Sequence, residues 1–240
     1  QGKFLEEFIP LYNTRFISLY EPHIDTFLNP EIVLSLEVCI TGFINEQYAY
    51  KTSTDVRRTF DTKRRNGEFI GAFAPYGLRK NPDDKNSLLI DEEAAAVVRD
   101  IFHWFVEDGM SKGSITKRLN ALGIPNPAAY KRMKGFRYCN PHILTNDGLW
   151  NVKTVRDILM NEMYIGNMVQ GKQKVISYKV HDKVQISEKD WYIVENTHEA
   201  IIDRETFQKA RLLQQRDTRI SPTNQTVYLF SGFLRCTDCG

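Results

Sequence analysis

The feature that most constrains this chain is one very long helical pattern over residues 29–66. Asn29, Pro30 and Glu31 supply an N-cap, a proline at the first helical position and an acid for the positive helix end. Apolar residues then recur every three or four positions, on one stripe of a helix: Ile32, Leu36, Cys39, Ile40, Phe43 and Ile44. Roughly 35 residues at about 1.5 Å each span about 50 Å, which predicts a helix that leaves one domain and enters another.

The second half of this helix is basic and ends at a glycine. Beyond Tyr48 six basic residues are opposed only by Asp55 and Asp61: Lys51, Arg57, Arg58, Lys63, Arg64 and Arg65. Asn66 and Gly67 are typical of a helix stop. Such a run is often just a solvated helix end. Here Ile70, Phe73 and Tyr76 interleave with the basic residues, which favours contact with a nucleic-acid backbone.

Charge is uneven along the 240 residues, although the formal net charge is only +2. Residues 1–50 hold two basic and seven acidic residues, which favours protein contact. Residues 112–146 hold seven basic residues and no acidic one, which indicates a phosphate-bearing partner. No run approaches 18 consecutive apolar residues, so the sequence predicts no membrane span. The N-terminus has neither an initiator methionine nor a signal peptide pattern, so we expect an internal start.

The first 28 residues and the stretch after the long helix predict short elements. Residues 4–10 predict a helical turn ended by Pro10, and residues 15–19 alternate like a strand. These elements followed by a long helix are typical of the end of an α/β domain. Residues 67–77 predict a glycine-rich loop, and 81–84 predict a turn.

Residues 67–216 have the pattern of a mainly helical domain with a small β element. We predict a helix from Asp91 to Gly109, one from Ser111 or Ser114 to Leu122, and one from Asn151 to about Met160. Residues 126–149 are polar and turn-rich, so we expect a loop that is either disordered or functional. Residues 164–169, 174–181 and 191–195 predict strands.

The last predicted helix runs from Asp203 to about Arg216, with Phe207, Ala210 and Leu213 on one face. Residues 217–227 then have the composition of a linker. They lead into residues 228–240, which end in a cysteine pair.

The three central helices match a helix-turn-helix type of DNA-binding protein. We expect Val152, Val155, Ile158 and Leu159 of the third helix to face inward, and Lys153, Thr154 and Arg156 to face outward, toward the major groove. The alternative is a plain three-helix core whose lysines are solvated. The acid-free segment beside this helix favours DNA.

Cysteine usage favours a reducing, cytoplasmic setting, because Cys39 and Cys139 stand alone. Cys236 and Cys239 have the spacing of one zinc-ribbon knuckle. Two thiolates do not make a closed site, so we expect weak or absent metal binding by this pair alone. The histidines are scattered, and no serine stands in a nucleophile arrangement.

Six ordered motifs resemble those of the large serine recombinases of the transposon and prophage resolvase/invertase class. They lie at residues 66–77 (NGEFIGAFAPYG), 91–94 (DEEA), 119–125 (LNALGIP), 164–167 (YIGN), 195–199 (ENTHE) and 236–240 (CTDCG). The resemblance extends over essentially the whole chain and is specific because the motifs keep their order.

The resemblance implies a parent enzyme that cuts and rejoins two DNA duplexes through a serine, for excision or integration of a mobile element. Such a parent has a resolvase-type catalytic domain, a long connecting helix, a recombinase domain and a zinc ribbon, and it assembles as dimers and tetramers. By this resemblance the chain runs from the end of the catalytic domain (residues 1–28) to the start of the zinc ribbon (228–240). The serine nucleophile and its arginine cluster would precede Gln1, so the fragment alone should be inactive.

One departure from the family pattern lies on the long helix. Many relatives carry a Glu-Arg pair there, whereas Tyr48 with Ala49 and Thr54 with Asp55 occupy the matching positions. We therefore assign no catalytic residue. Zinc is expected only in a complete zinc ribbon.

The sequence thus predicts a mixed α+β, mainly helical fold: a long connecting helix, a helix-turn-helix-like recombinase domain with a small β element, and a truncated zinc ribbon. Its expected partner is double-stranded DNA. The candidate DNA contacts are Arg57, Arg58, Lys63, Arg64, Arg65, Tyr76, Arg79, Lys117, Arg118, Lys131, Arg132, Lys134, Arg137, Asn151, Lys153, Thr154 and Arg156. The alternative function is a non-enzymatic regulator with a helix-turn-helix and a zinc ribbon.

Overall fold

The computed structural model describes residues 4–19, 23–138 and 148–215. The chain divides into two compact units, which we call unit 1 (Gln1–Thr62 with Lys172–Glu188) and unit 2 (Lys63–Gly171 with Lys189–Gly240). Among the described residues, no helix has both the length and the apolar character needed to cross a membrane.

Helices dominate the described residues, as the sequence predicts, and the strands are short. The α-helices are α1 (Ile9–Leu11), α2 (Leu36–Arg65), α3 (Glu92–Val106), α4 (Lys112–Ala121), α5 (Pro127–Met133), α6 (Val152–Leu159) and α7 (Arg204–Gln215). The strands are β1 (Leu78–Lys80), β2 (Leu88–Ile90), β3 (Met168–Gln170), β4 (Gln173–Val175), β5 (Lys183–Gln185) and β6 (Tyr192–Val194). Shorter turns are a π-helix at Phe4–Phe8 and 3-10 helices at Pro30–Leu34, Glu162–Ile165 and Glu188–Asp190.

The long helix α2 begins six residues later than its predicted first residue. Pro30–Leu34 forms a 3-10 helix without a side-chain cap from Asn29, and Ser35 then adopts an extended conformation. The Ser35 hydroxyl accepts a hydrogen bond from the Val38 N–H at 3.4 Å and so caps α2 in place of Asn29. The break follows from packing, because Val33 is buried with Ile9 and Ile24 in the small core of unit 1. The remaining 30 residues span about 45 Å.

The predicted end of α2 is confirmed. The helix stops at Arg65, and Gly67 has a φ of +73°, a left-handed conformation that suits glycine at a helix end. A Cβ at Gly67 would lie 2.7 Å from the Thr197 Cγ2 atom, so this position also needs a residue without a side chain.

Two expectations for the N-terminal residues are wrong. Pro10 lies inside α1, at a position where its missing N–H has no helical partner to lose, and α1 continues to Leu11. Residues 15–19 do not form a strand. Among the described residues, these positions form a single isolated bridge, between Ile17 and Asp25. Residues 26–28 form a turn directly after Asp25, so the pairing does not extend.

The core of unit 2 is built on α3, α4, α6 and α7. Fully buried side chains include Val98, Ile101 and Phe102 of α3, with Ile115 and Leu119 of α4 and Val155 and Leu159 of α6. From α7, Phe207 and Ala210 complete the same cluster. The helices were predicted from the spacing of these apolar residues. Leu122, the last residue of the predicted second helix, is 60% exposed, and α4 ends one residue before it.

Antiparallel strand pairs connect the helices. In unit 2, β1 pairs with β2 and β3 with β6; in unit 1, β4 pairs with β5. The predicted strands are longer than the observed ones. Residues 162–165 form a 3-10 helix that ends at Gly166, and the strand predicted at 174–181 ends at Val175, where the chain turns back toward β5.

Residues 126–149, predicted as a loop, contain α5. The Asn126 side-chain oxygen accepts hydrogen bonds from the N–H groups of Ala128 and Ala129 (3.1 and 2.8 Å), and Pro127 is the first helical residue. An Asn-Pro pair followed by two alanines is a helix-start signal that the sequence contains.

Candidate nucleic-acid interface

Helix α6 presents a basic outer face, as predicted. Its inner face, Val155, Ile158 and Leu159, is buried, while Lys153 and Arg156 are exposed. Neither cation has a side-chain partner among the described residues. Both charges are therefore available to a ligand. Val152 was predicted to face inward but is 48% exposed, because it occupies the first helical position, at the end of the buried stripe.

Asn151 and Thr154 are occupied by the cap of α6. The Asn151 Oδ1 atom accepts from the Thr154 N–H at 2.7 Å and lies 3.0 Å from the Thr154 hydroxyl, which donates to it. A bidentate contact from asparagine to adenine needs that oxygen as an acceptor. Asn151 and Thr154 therefore position α6, and Lys153 and Arg156 remain the candidate DNA contacts of this helix.

The basic residues of α5 and of the short segment after it fall into two groups. Lys131 is half-buried, and its Nζ atom lies 5.4 Å from the ring centre of Phe73 and 4.8 Å from that of Tyr138. This burial lowers the pKa of Lys131. Its ammonium is held over aromatic faces and is not a mobile phosphate contact. Arg132 and Arg137, by contrast, are exposed and unpartnered within the described part of the chain.

Lys134 and Tyr130 fasten α5 to the start of α3. The Lys134 Nζ atom lies 2.7 Å from a carboxylate oxygen of Glu93, and this hydrogen bond lowers the pKa of Glu93 and raises that of Lys134. The buried Tyr130 donates its hydroxyl to both carboxylate oxygens of Asp91, at 3.0 and 2.9 Å. Burial and these carboxylates raise the pKa of Tyr130. Asp91 therefore bonds to α5 and does not cap its own helix.

The prediction that Tyr76 contacts DNA is wrong, because the side chain is buried. Its side chain is 6% exposed and lies between the rings of Tyr130 and Trp150, with centroid separations of 5.4 and 5.5 Å. Its backbone carbonyl accepts a hydrogen bond from the Tyr164 hydroxyl. Tyr76, which interleaves with basic residues in the sequence, is therefore a core residue.

Several other predicted contacts are engaged inside the protein. Arg118 lies 4.3 Å from the ring centre of Trp104 and near Asp108, and Lys63 pairs with Glu68 at 3.3 Å. Weaker contacts engage the rest of this group: Arg58 with Asp55, Arg64 with the Tyr192 ring and Arg79 with the Ile90 carbonyl. Among the described residues, the predicted cations that stay exposed and unpartnered are Arg57, Arg65, Lys117, Arg132, Arg137, Lys153 and Arg156.

Sequence reasoning missed two polar contacts that position this interface. One is the Tyr130 bond to Asp91, and the other joins Asn120 to the backbone of Trp150. The partners are 39 and 30 residues apart, so no local pattern pairs them.

The predicted zinc ligands, Cys236 and Cys239, lie outside the described residues, as do Cys139 and the linker at 217–227. Their role stays a prediction. Within residues 4–19, 23–138 and 148–215, no cluster of three or more His, Cys, Asp or Glu side chains could hold a metal ion.

Comparison with known proteins gives one family and several relatives. The family model described as Recombinase matches residues 92–216, just over half of the 240-residue chain. A candidate DNA recombinase of Bacillus subtilis (strain 168) is 30% identical over 189 residues, which cover 74% of this chain and 34% of the relative. The chain thus spans about a third of that relative's length.

Two solved structures are also similar. One comes from work on the sequence requirements of the Listeria innocua prophage attP site (22% identity, TM-score 0.40, 66% of this chain and 50% of that chain). The other is a crystal structure of an LSR–DNA complex (18% identity, TM-score 0.44, 73% of this chain and 43% of that chain).

Proposed function

Because this chain belongs to the Recombinase family, we propose that it is the DNA-binding portion of a site-specific serine recombinase, which cuts and rejoins attachment-site DNA of a mobile element. In this proposal the chain holds one half of an attachment site. The reaction belongs to the whole protein, with a serine nucleophile outside these 240 residues and with several copies assembled on DNA.

The observation that carries the proposal is the outer face of α6. Lys153 and Arg156 are exposed, and neither has a side-chain partner among the described residues. They lie in the first two turns of a helix whose opposite face is buried. This is the part of a helix that helix-turn-helix proteins place in the major groove, where arginine suits guanine.

Phosphate contacts are assigned to a separate set of residues. Arg132 lies in the last turn of α5, Arg137 lies four residues after that helix, and Lys117 lies on α4. All three are exposed, and the segment that holds them contains no acid. Contacts of this kind set affinity and orientation but carry no sequence information.

The test is binding of the chain to duplexes from the boundaries of its own element, against scrambled duplexes of equal length. Arg156→Ala should weaken cognate binding by about 1 to 3 kcal/mol and relax the preference at one base pair. Arg132→Ala is the matched control. It changes an exposed arginine on α5, the preceding helix in the sequence, and should weaken binding to all duplexes about equally. Equal losses on cognate and scrambled DNA from Arg156→Ala would remove α6 as the base-contacting helix.

Salt dependence tests the phosphate contacts. If about six form, affinity should fall by roughly 10³ or more between 50 and 200 mM salt. A flat salt response would contradict DNA binding by this surface. Recombination itself is tested with the whole protein and two paired sites on one plasmid, where excision or inversion is the expected product.

A further inference from the structure

The segment just before α6 is fixed by a side chain from another helix. The Asn120 amide donates to the Trp150 carbonyl at 3.2 Å, and the Trp150 N–H donates to the Asn120 Oδ1 atom at 2.8 Å. Asn120 lies one residue before the end of α4, and Trp150 lies two residues before the start of α6. One amide side chain thus satisfies both backbone groups of a residue 30 positions away.

Trp150 is held in place by further contacts, so the bonds from Asn120 join α4 to a fixed residue. Its side chain is 3% exposed, and its indole N–H donates to the Ile124 carbonyl at 2.9 Å. Its ring packs edge-on against Tyr76. Buried and fully hydrogen-bonded groups of this kind hold one conformation.

A second asparagine holds the same segment from α5. The Asn126 amide donates to the Leu149 carbonyl at 2.8 Å, and its backbone N–H donates to the Gly148 carbonyl at 3.1 Å. Its Oδ1 atom caps α5. Residues 148–150 are therefore bonded to the end of α4 and to the start of α5, immediately before the cap of α6.

We propose that Asn120 and Asn126 are positioning residues for DNA sequence recognition, because they fix where the first turn of α6 presents Lys153 and Arg156. This inference rests on the function proposed above. Base-edge contacts demand placement within about 0.5 Å, whereas a long cation reaches a phosphate from many positions. Loss of either asparagine contact should therefore lower sequence discrimination and leave general DNA affinity in place.

The experiment compares Asn120→Ala with the wild-type chain on cognate and scrambled duplexes. The ratio of the two affinities should fall by roughly 5- to 150-fold, the discrimination of one good base contact, while scrambled-duplex affinity stays unchanged. Asp203→Ala is the control, because it removes an exposed helix cap of the same unit, the 2.8 Å bond from the Thr206 N–H at the start of α7, and no bond to residues 148–150. It should leave the ratio unchanged.

A double-mutant cycle separates positioning from a general loss of structure. Arg156→Ala should reduce the ratio in the wild-type background and have little further effect in the Asn120→Ala background. Should Asn120→Ala fail to fold, Asn126→Ser replaces it, since the shorter serine can still cap α5 but lacks the amide group that donates to the Leu149 carbonyl.

Two results would overturn the inference. The first is an unchanged ratio of cognate to scrambled affinity in Asn120→Ala or Asn126→Ser, whether or not both affinities fall. The second is an equal effect of Arg156→Ala in both backgrounds. A wild-type chain that does not discriminate at all would instead overturn the proposed function, and the inference with it.

Discussion

The hydroxyl of Tyr130 is a precise test of how α5 is attached to unit 2. Tyr130→Phe keeps the ring, which packs edge-on against Tyr76 at 5.4 Å, and removes the hydroxyl that donates to Asp91 and lies 3.3 Å from a carboxylate oxygen of Glu93. The Asp91 carboxylate then loses a partner that bonds to both of its oxygens, at 3.0 and 2.9 Å. Nothing else in the contact changes shape.

The expected magnitude follows from the charge on the acceptor. A hydrogen bond to an ionised group contributes about 1.5 to 3 kcal/mol, and the lower part of that range applies because water reaches the carboxylate from one side. We expect Tyr130→Phe to lower the free energy of unfolding by about 1.5 to 2 kcal/mol. For a unit of this size, that lowers Tm by about 3 to 8 °C.

Urea denaturation followed by circular dichroism measures this loss. Tyr138→Phe is the matched control, since the Tyr138 hydroxyl has no hydrogen bond within the described part of the chain. In an Asp91→Asn background, where the acceptor is uncharged, Tyr130→Phe should cost less. An unchanged urea midpoint for Tyr130→Phe, or the same loss in both backgrounds, would refute the role given to this bond.

Three further predictions concern other parts of the chain. Burial lowers the pKa of His198, so the folded state favours the neutral ring and the stability of the fold should decline as the pH falls below about 6.5. His198→Gln should flatten that decline, as measured by thermal melts at several pH values. The hydrogen bonds from Arg15 lower the pKa of Asp25 to about 2, so its stabilising effect should be lost between about pH 3.8 and 2; Arg15→Met should return the NMR titration midpoint of Asp25 toward 3.8. On α2, Leu36 and Phe43 are 74% and 63% exposed, so changing both to Ser should reduce any self-association seen by sedimentation. Unchanged sedimentation would exclude this apolar face as the contact.

Local pattern predicted the helices well and their partners poorly. The apolar spacing in α6 identified Val155 and Leu159 as core residues, because the apolar residues of a helix that packs on one side recur every three or four positions. The same rule predicted that Val152 is buried, although it is 48% exposed at the first position of α6. Periodicity gives the direction of a face but not the length of what covers it.

The candidate interface was predicted by residue type but not by availability. Positive charge marked Lys131, Lys134 and Arg132 alike. Lys131 contacts Phe73 and Tyr138 and Lys134 contacts Glu93, whereas Arg132 has no side-chain partner among the described residues. The contacts with Phe73 and Glu93 join residues 58 and 41 positions apart. Only the fold brings them together, so no window of sequence can separate a bound cation from an available one.

The packing of α7 on α3 has a consequence for how this protein folds during synthesis. The rings of Phe102 and Phe207 lie 6.1 Å apart in one cluster, although their codons are far from each other in the message. About 105 residues separate them, so at 5 to 20 residues per second the apolar face of α3 waits about 5 to 20 s for its partner on the ribosome. Chaperone demand and aggregation of truncated products should therefore be set by the time at which α7 emerges.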